Sequence, residues 1–258
     1  LIVHWGVYSV PGWAPLPPEH DDHPHLGEHA ASRYFAEWYQ ASAAVAGSPT
    51  AQHHAEVHDD RPYQDFREPF EEALAHWSAE WWAEQFASFG VRYVVQVAKH
   101  HDGYLLWPSR VRHPHDQTWR SPRDVVGELA DALRARGLRV GLSYSSGADW
   151  SFGDASVLRA ADVRTSRPTG SDYARYVEAH WRELIGAYRP DGIWNDTGYP
   201  AEADAQVIMD EYRSAVPHGV VSARFRTSAP VPARPEAGGP WESLRPLGLS
   251  FGWNRQEP

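Results

Sequence analysis

The stretch VVQVAKHHDGYLLW, residues 94–107, carries an apolar strand into a lysine, two histidines, an aspartate and a glycine, then returns to aromatic and aliphatic residues. Asp102 and Gly103 read as turn residues. Lys99, His100 and His101 need a further reason. A second strand ends the same way: in GIWND, 192–196, Asp196 follows an apolar run and precedes a Thr-Gly turn. An aspartate there either caps the next helix or presents a carboxylate to a site. Trp194, two positions earlier, shares its face of an extended strand. Arg224 closes the next apolar run, and Glu242 follows in GGPWESLRPLG. Two carboxyl groups with histidines, an arginine and aromatic rings form the inventory of glycoside hydrolysis. One carboxylate attacks the sugar or activates water, and the other group protonates the leaving oxygen.

The elements that must hold these residues repeat one pattern of helix, short loop, apolar strand and polar ending. HWSAEWWAEQFASFG (76–90) is amphipathic, with Trp77, Trp81, Phe86 and Phe89 largely on one side and Gly90 as its stop. It leads into VRYVVQVA. SPRDVVGELADALRARG (121–137), with Ser121 as N-cap and Pro122 at the first helical position, leads into LRVGLSYSS. A helix over 172–191 precedes GIWND, and one over 203–219 precedes VVSARF. With LIVHWG at the start and GLSFGWN near the end, six strands are expected, most separated by helices. Such alternation implies an α/β fold with a parallel sheet. No strand opens onto a glycine-rich phosphate loop, which disfavours a dinucleotide-type doubly wound sheet. His4, His100, Asp196, Arg224 and Asn254 fall at the C-terminal ends of different strands, the catalytic end of a (β/α)8 barrel. The expectation is therefore a TIM-like barrel spanning 1–258, irregular or incomplete at both chain ends, because six strands are two short of closure.

Two segments rich in proline, histidine and aspartate, 15–29 and 50–65, read as inserted loops, with RYFAEWYQASAA a short helix between them. His20, His23, His25 and His29, or His53, His54 and His58, could be assembled into a zinc site on paper. Neither stretch contains a helical HExxH, so solvated surface is the better reading, and no metal or cofactor is expected. The net charge of -10 over 258 residues argues against nucleic acid or an anionic membrane as partner. No apolar run approaches the length of a membrane span. There is no cysteine, hence no disulfide and no thiolate chemistry, and the compartment is left open. Thirteen tryptophans and twelve tyrosines tilt toward a carbohydrate site, where rings stack on pyranose faces.

The chain resembles the α-L-fucosidases of glycoside hydrolase family 29. The resemblance rests on HWGVYSVPGW, EWYQ, VRYVVQVAKHHDGYLLWPS, RDVVGELADALRARGLRVGLSYS, YRPDGIWND and WESLRPLGLSFGWNR, in family order. It implies an exo-acting enzyme that removes terminal α-L-fucose from glycans by retaining double displacement. Asp196 would be the nucleophile and Glu242 the acid/base, with Glu37 as the runner-up for that role. His4, Glu37, Trp38, His100, His101, Trp194 and Arg224 would bind the sugar, with Tyr144 a neighbour and Phe251 and Trp253 around the fucose methyl. By strand alternation His100 and His101 face opposite sides, so both reach the sugar only if the strand twists or ends between them. The family continues beyond this point to further barrel strands and a β-sandwich domain, both expected to be missing here. Two other functions fit the same residues: a retaining glycosidase for a related sugar such as α-L-galactose, and a catalytically impaired carbohydrate-binding relative.

Overall fold

The computed structural model describes residues 1–16, 34–153, 168–225, 248 and 253–256. Five parallel strands form one sheet: β1 (Ile2–Val3), β2 (Tyr93–Lys99), β3 (Arg139–Ser145), β4 (Gly192–Asp196) and β5 (Val220–Val221). Their order in the sheet is their order in the chain. A doubly wound sheet reverses its strand order at a switch point, and none occurs among these strands. Of the sixth expected strand, most lies outside the described residues.

Helices fill the connections. Between β1 and β2 run α1 (Tyr39–Ala43), α2 (Pro49–His58), α3 (Arg67–Leu74) and α4 (Ala79–Ser88). Then α5 (Val125–Ala135) precedes β3, α6 (Ser171–Tyr188) precedes β4, and α7 (Ala205–Ala215) precedes β5. Alternate strand residues Val94, Ala98, Val140, Leu142, Tyr144 and Ile193 share one core with Ala83, Phe86, Leu129, Leu133, Trp181 and Leu184 of the helices. Val95 and Val97 are buried on the other face, outside that core. There Gly141 and Gly192 leave room for the Tyr93 ring, into whose hydroxyl a Cβ at either position would run. No described helix is long and apolar enough to cross a membrane.

Three sequence expectations are corrected. Residues 49–58 within the second histidine-rich segment are helical, not a loop: Ser48 Oγ accepts from Ala51 N at 3.0 Å, Pro49 takes the first turn, and Asp59 ends α2 in the left-handed region at φ 53°. Helix α5 begins at Val125 with Asp124 as its cap, accepting from Gly127 N at 2.9 Å, so Ser121 and Pro122 precede it. On α4 the buried stripe is Ala79, Ala83 and Phe86, whereas Trp81 and Phe89 are 53% and 75% exposed. The helical spacing holds, but two alanines and a single large ring, Phe86, face the core in place of the row of large rings. Of the first histidine-rich segment, 17–29 lies outside the described residues.

Candidate active site

Strand β2 does not run straight to its histidines. Its register with β3 shifts between Val97 and Lys99, so Lys99 pairs with Tyr144 and the strand ends there. Lys99 is thereby turned to the helix side. Its ammonium is fully buried, 2.7 Å from Asp149 Oδ2 and 4.8 Å from the Tyr144 ring centroid. Burial pulls its pKa down and Asp149 opposes that shift. The two imidazoles that follow both turn to the other side, with ring centroids 4.0 Å apart. The alternation that would have separated them does not persist beyond Lys99.

The turn after them is locked at every residue. Gly103 N donates to His100 O, Trp150 N donates to His101 O at 2.7 Å, and Asp102 accepts from Tyr104 N and from the Tyr63 hydroxyl. Gly103 sits at φ 79°, where a Cβ would collide with Asp149 Oδ1 and Ser151 Oγ. The four polar residues of KHHD thus divide three tasks: an ion pair for Lys99, the site for the two imidazoles, and a buried turn for Asp102.

Around the imidazoles the sequence candidates converge from separate elements. His4, just past β1, lies with Nδ1 3.5 Å from Glu37 Oε2. Glu37 comes from a 3-10 turn at Ala36–Trp38, and its Oε1 is 4.0 Å from His100 Nε2. His101 Nε2 is 3.8 Å from Asp196 Oδ2 at the end of β4. Arg224, in the 3-10 turn Ala223–Phe225 after β5, donates to Asp196 Oδ1 at 3.1 Å and lies over the Trp194 ring at 4.7 Å. Trp38 meets His101 edge-on at 5.1 Å. His4, Glu37, Trp38, His100, His101, Trp194, Asp196 and Arg224 therefore form one cluster at the C-terminal end of the sheet.

The cluster divides its carboxyl groups by environment. Glu37 is buried, which raises its pKa to about 7; the His4 ring opposes the shift and Asp196 adds to it. Asp196 receives two donors on Oδ1, Arg224 Nη1 and Thr197 N at 2.8 Å, which leaves Oδ2 facing His101. Burial drives both His100 and His101 well below the usual imidazole range, helped for His100 by the neighbouring imidazoles and for His101 by Lys99, His4 and Arg224. Neither ring nitrogen of His100 has a hydrogen-bond partner among the described residues, and the Tyr8 hydroxyl, its ring 5.0 Å away, has none either. These buried polar atoms are open to hydrogen-bond a polar ligand.

Two triads could also hold a cation: His4, Glu37 and His100, and His100, His101 and Asp196, each with ligand atoms within 4.8 Å. His53, His54 and His58 form no such group among the described residues. On α2, His54 spends both nitrogens on the Tyr39 hydroxyl and Arg61 O, and His53 stacks on Trp13.

Other candidates fall elsewhere. Tyr144 is fully buried on the helix side, bonded to His180 Nδ1 at 2.8 Å, and so lies away from the cluster. The Trp253 ring packs on Gly12 with Arg255 over it at 5.1 Å and is 56% exposed. Glu242 and Phe251 lie outside the described residues. Sequence reasoning missed Tyr8, Ser145, Trp150 and Thr197. Tyr8 sits in the quoted HWGVYS segment and Thr197 directly follows WND, so chain proximity could have flagged both. The tryptophan surplus serves more than the site: Trp5, Trp77, Trp81 and Trp82 line a separate cavity of about 580 Å³.

A family model described as Alpha-L-fucosidase matches residues 1–257. The chain belongs to the α-L-fucosidase family. The human tissue alpha-L-fucosidase is 31% identical over 205 residues, covering 76% of this chain and 37% of the human one. The alpha-L-fucosidase of Dictyostelium discoideum is 30% identical over 203 residues, covering 76% and 39%. Among solved structures, the Thermotoga maritima alpha-fucosidase in complex with fucose superposes with a TM-score of 0.82 at 34% identity, covering all of this chain and 59% of that one. An alpha-L-fucosynthase from the same organism, in complex with alpha-L-Fuc-(1-2)-beta-L-Fuc-N3, gives 0.87 at 34% identity, covering 100% and 60%. The chain thus spans well under half of the curated relatives and about three fifths of these structures. Its parallel α/β fold is that of the fucosidase catalytic domain.

Proposed function

We propose that this α-L-fucosidase-family chain forms the catalytic site of an exo-acting enzyme that hydrolyses terminal α-L-fucosides with retention. The observation that carries the reading is His100. It is a buried imidazole with both nitrogens open, set between the Glu37 carboxyl and the His101–Asp196 pair, where sugar hydroxyls would supply the missing hydrogen bonds. Asp196 Oδ2 attacks the anomeric carbon while the aglycone oxygen leaves with a proton. Water then cleaves the fucosyl ester as the acid, now a base, takes its proton. Arg224 and Thr197 N hold Oδ1 and aim Oδ2. Trp38 and Trp194 are the proposed aromatic contacts of the sugar.

Glu242 is the proposed acid/base, on the family resemblance. Glu37 is the second reading for that role, favoured by its pKa of about 7, which keeps a carboxyl protonated near neutrality. The sequential parallel strands, with helices sharing the core of one face, support a (β/α)8 barrel whose remaining strands are not among those described.

The test is release of the chromophore from an aryl α-L-fucoside, with the α-L-galactoside, α-galactoside and β-fucoside alongside and a chelator added in a parallel series. Turnover of the α-L-fucoside that survives the chelator supports the reading. Preference for the α-L-galactoside would reassign the sugar, and loss with chelator would turn the two triads into metal ligands. An Asp196→Ala chain that keeps wild-type turnover would remove the mechanism.

A further inference from the structure

Ser145 closes β3 directly beside Asp196, its register partner on β4, and its hydroxyl is the one described hydrogen-bond partner of the His101 ring. The residue is only 1% exposed, and its hydroxyl touches three groups: His101 Nδ1 at 2.6 Å, Ala148 O at 2.7 Å and Thr197 Oγ1 at 3.2 Å. A hydroxyl has one proton to give. Ala148 O is a carbonyl and can only accept, so at 2.7 Å it must receive the Ser145 proton. The carbonyl is held there by the buried Lys99 ammonium, 3.4 Å away. Thr197 Oγ1 spends its own proton on Asp196 O at 2.7 Å. The 2.6 Å contact to His101 is then a hydrogen bond only if Nδ1 carries the proton and Ser145 accepts it.

From this count we infer that Ser145 is a positioning residue that fixes His101 as the Nδ1–H tautomer, leaving Nε2 bare in the site as an acceptor for a substrate hydroxyl. In a neutral imidazole the hydrogen bond made by one nitrogen sets the state of the other. A bare Nε2 3.8 Å from Asp196 Oδ2 faces it lone pair to lone pair, so the two cannot bond to one another. That keeps Oδ2 free to react and leaves a gap between them that a hydroxyl donor fills. The opposite tautomer would point Nε2–H toward Oδ2, 3.8 Å away, and cancel the acceptor. The groups facing His101 are Lys99, His4, His100 and Arg224, all cationic or able to become so, and Asp196. Burial of the ring, with the Lys99 ammonium and the Arg224 guanidinium close by, keeps it neutral.

The role at a sugar hydroxyl rests on the fucosidase reading, whereas the tautomer does not, and the experiment separates them. The ring nitrogens of His101 in the ¹⁵N-labelled, ligand-free chain are assigned by comparison with His101→Gln and read near neutral pH. A protonated Nδ1 with a bare Nε2 is expected. A protonated Nε2, or a doubly protonated ring, would overturn the inference whatever the activity. In Ser145→Ala the Nδ1–H form should lose its dominance, and kcat/KM on an aryl α-L-fucoside should fall about tenfold or more, by analogy with the loss that follows when a metal-bound histidine loses its outer hydrogen-bond partner. Ser145→Thr, which keeps the hydroxyl, should restore the tautomer. An unchanged His101 spectrum in a folded Ser145→Ala chain would also overturn it. A wild-type chain with the Nδ1–H tautomer but no fucoside turnover would support Ser145's role and count only against the fucosidase reading.

Discussion

Replacing Glu37 by glutamine isolates the electrostatic character of the site. Burial holds the Glu37 proton up to about pH 7, against an ordinary value of 4.5. Over that interval the folded chain keeps a proton that the unfolded chain has released, so wild-type stability falls as pH rises. The penalty is small at low pH and complete above about 7, where the carboxylate ionises in place. A carboxyl that ionises one pH unit later in the folded chain than in the unfolded one costs about 1.4 kcal/mol, and the part that develops between about pH 5 and pH 8 comes to roughly 2.5 kcal/mol. Glu37→Gln keeps the shape and has no proton to lose. Urea unfolding of both chains across this range should show the variant gaining on the wild type by about 2.5 kcal/mol toward pH 8. His100 and His101, buried with lowered pKa values, make both chains lose stability as pH falls, and that shared slope drops out of the difference. Parallel stability curves for the two chains would refute the claim that Glu37 is held protonated by burial.

The remaining expectations concern the frame around the imidazoles. Lys99→Met strands the buried Asp149 carboxylate without its ammonium and should cost about 3–5 kcal/mol in urea unfolding, with Lys99→Met/Asp149→Leu less damaging than the single change. An undiminished Lys99→Met chain would show that the pair does not hold the end of β2. Gly103→Ala forces a Cβ into a left-handed turn against Asp149 and Ser151, and should cost about 1–3 kcal/mol while lowering kcat/KM, since the turn carries His100 and His101. A neutral result would mean that the turn relaxes without moving the imidazoles.

Much of this arrangement is legible in the chain. The polar endings of the apolar runs mark where β1, β2 and β4 stop, and the i to i+2 spacing of Trp194 and Asp196 puts both on the face away from Ile193. What escapes is local geometry without a periodic signal. The register shift after Val97 changes which side Lys99 takes, and no pattern in VVQVAKHH announces it. Glu37 reaches the cluster from a three-residue 3-10 turn, too short to show a period. Tyr144 stands near the end of β3, which suggests the sugar, but alternation there sends Ser145 to the site and Tyr144 to His180. The helix at 49–58 is signalled by Ser48-Pro49, a cap followed by a first-turn proline, and its histidines obscure that signal.

The central claim is that Asp196 Oδ2 forms the bond to the sugar, and covalent trapping tests it most directly. The full chain would be incubated with an activated 2-deoxy-2-fluoro α-L-fucosyl donor, whose fluorine slows release of the ester, then digested and mapped by mass spectrometry. One fucosyl adduct is expected, on the peptide containing Asp196, and it should be absent from Asp196→Ala. An adduct on Glu37 or Glu242, or turnover of the aryl fucoside with no trapped ester on Asp196, would contradict the assignment of the nucleophile.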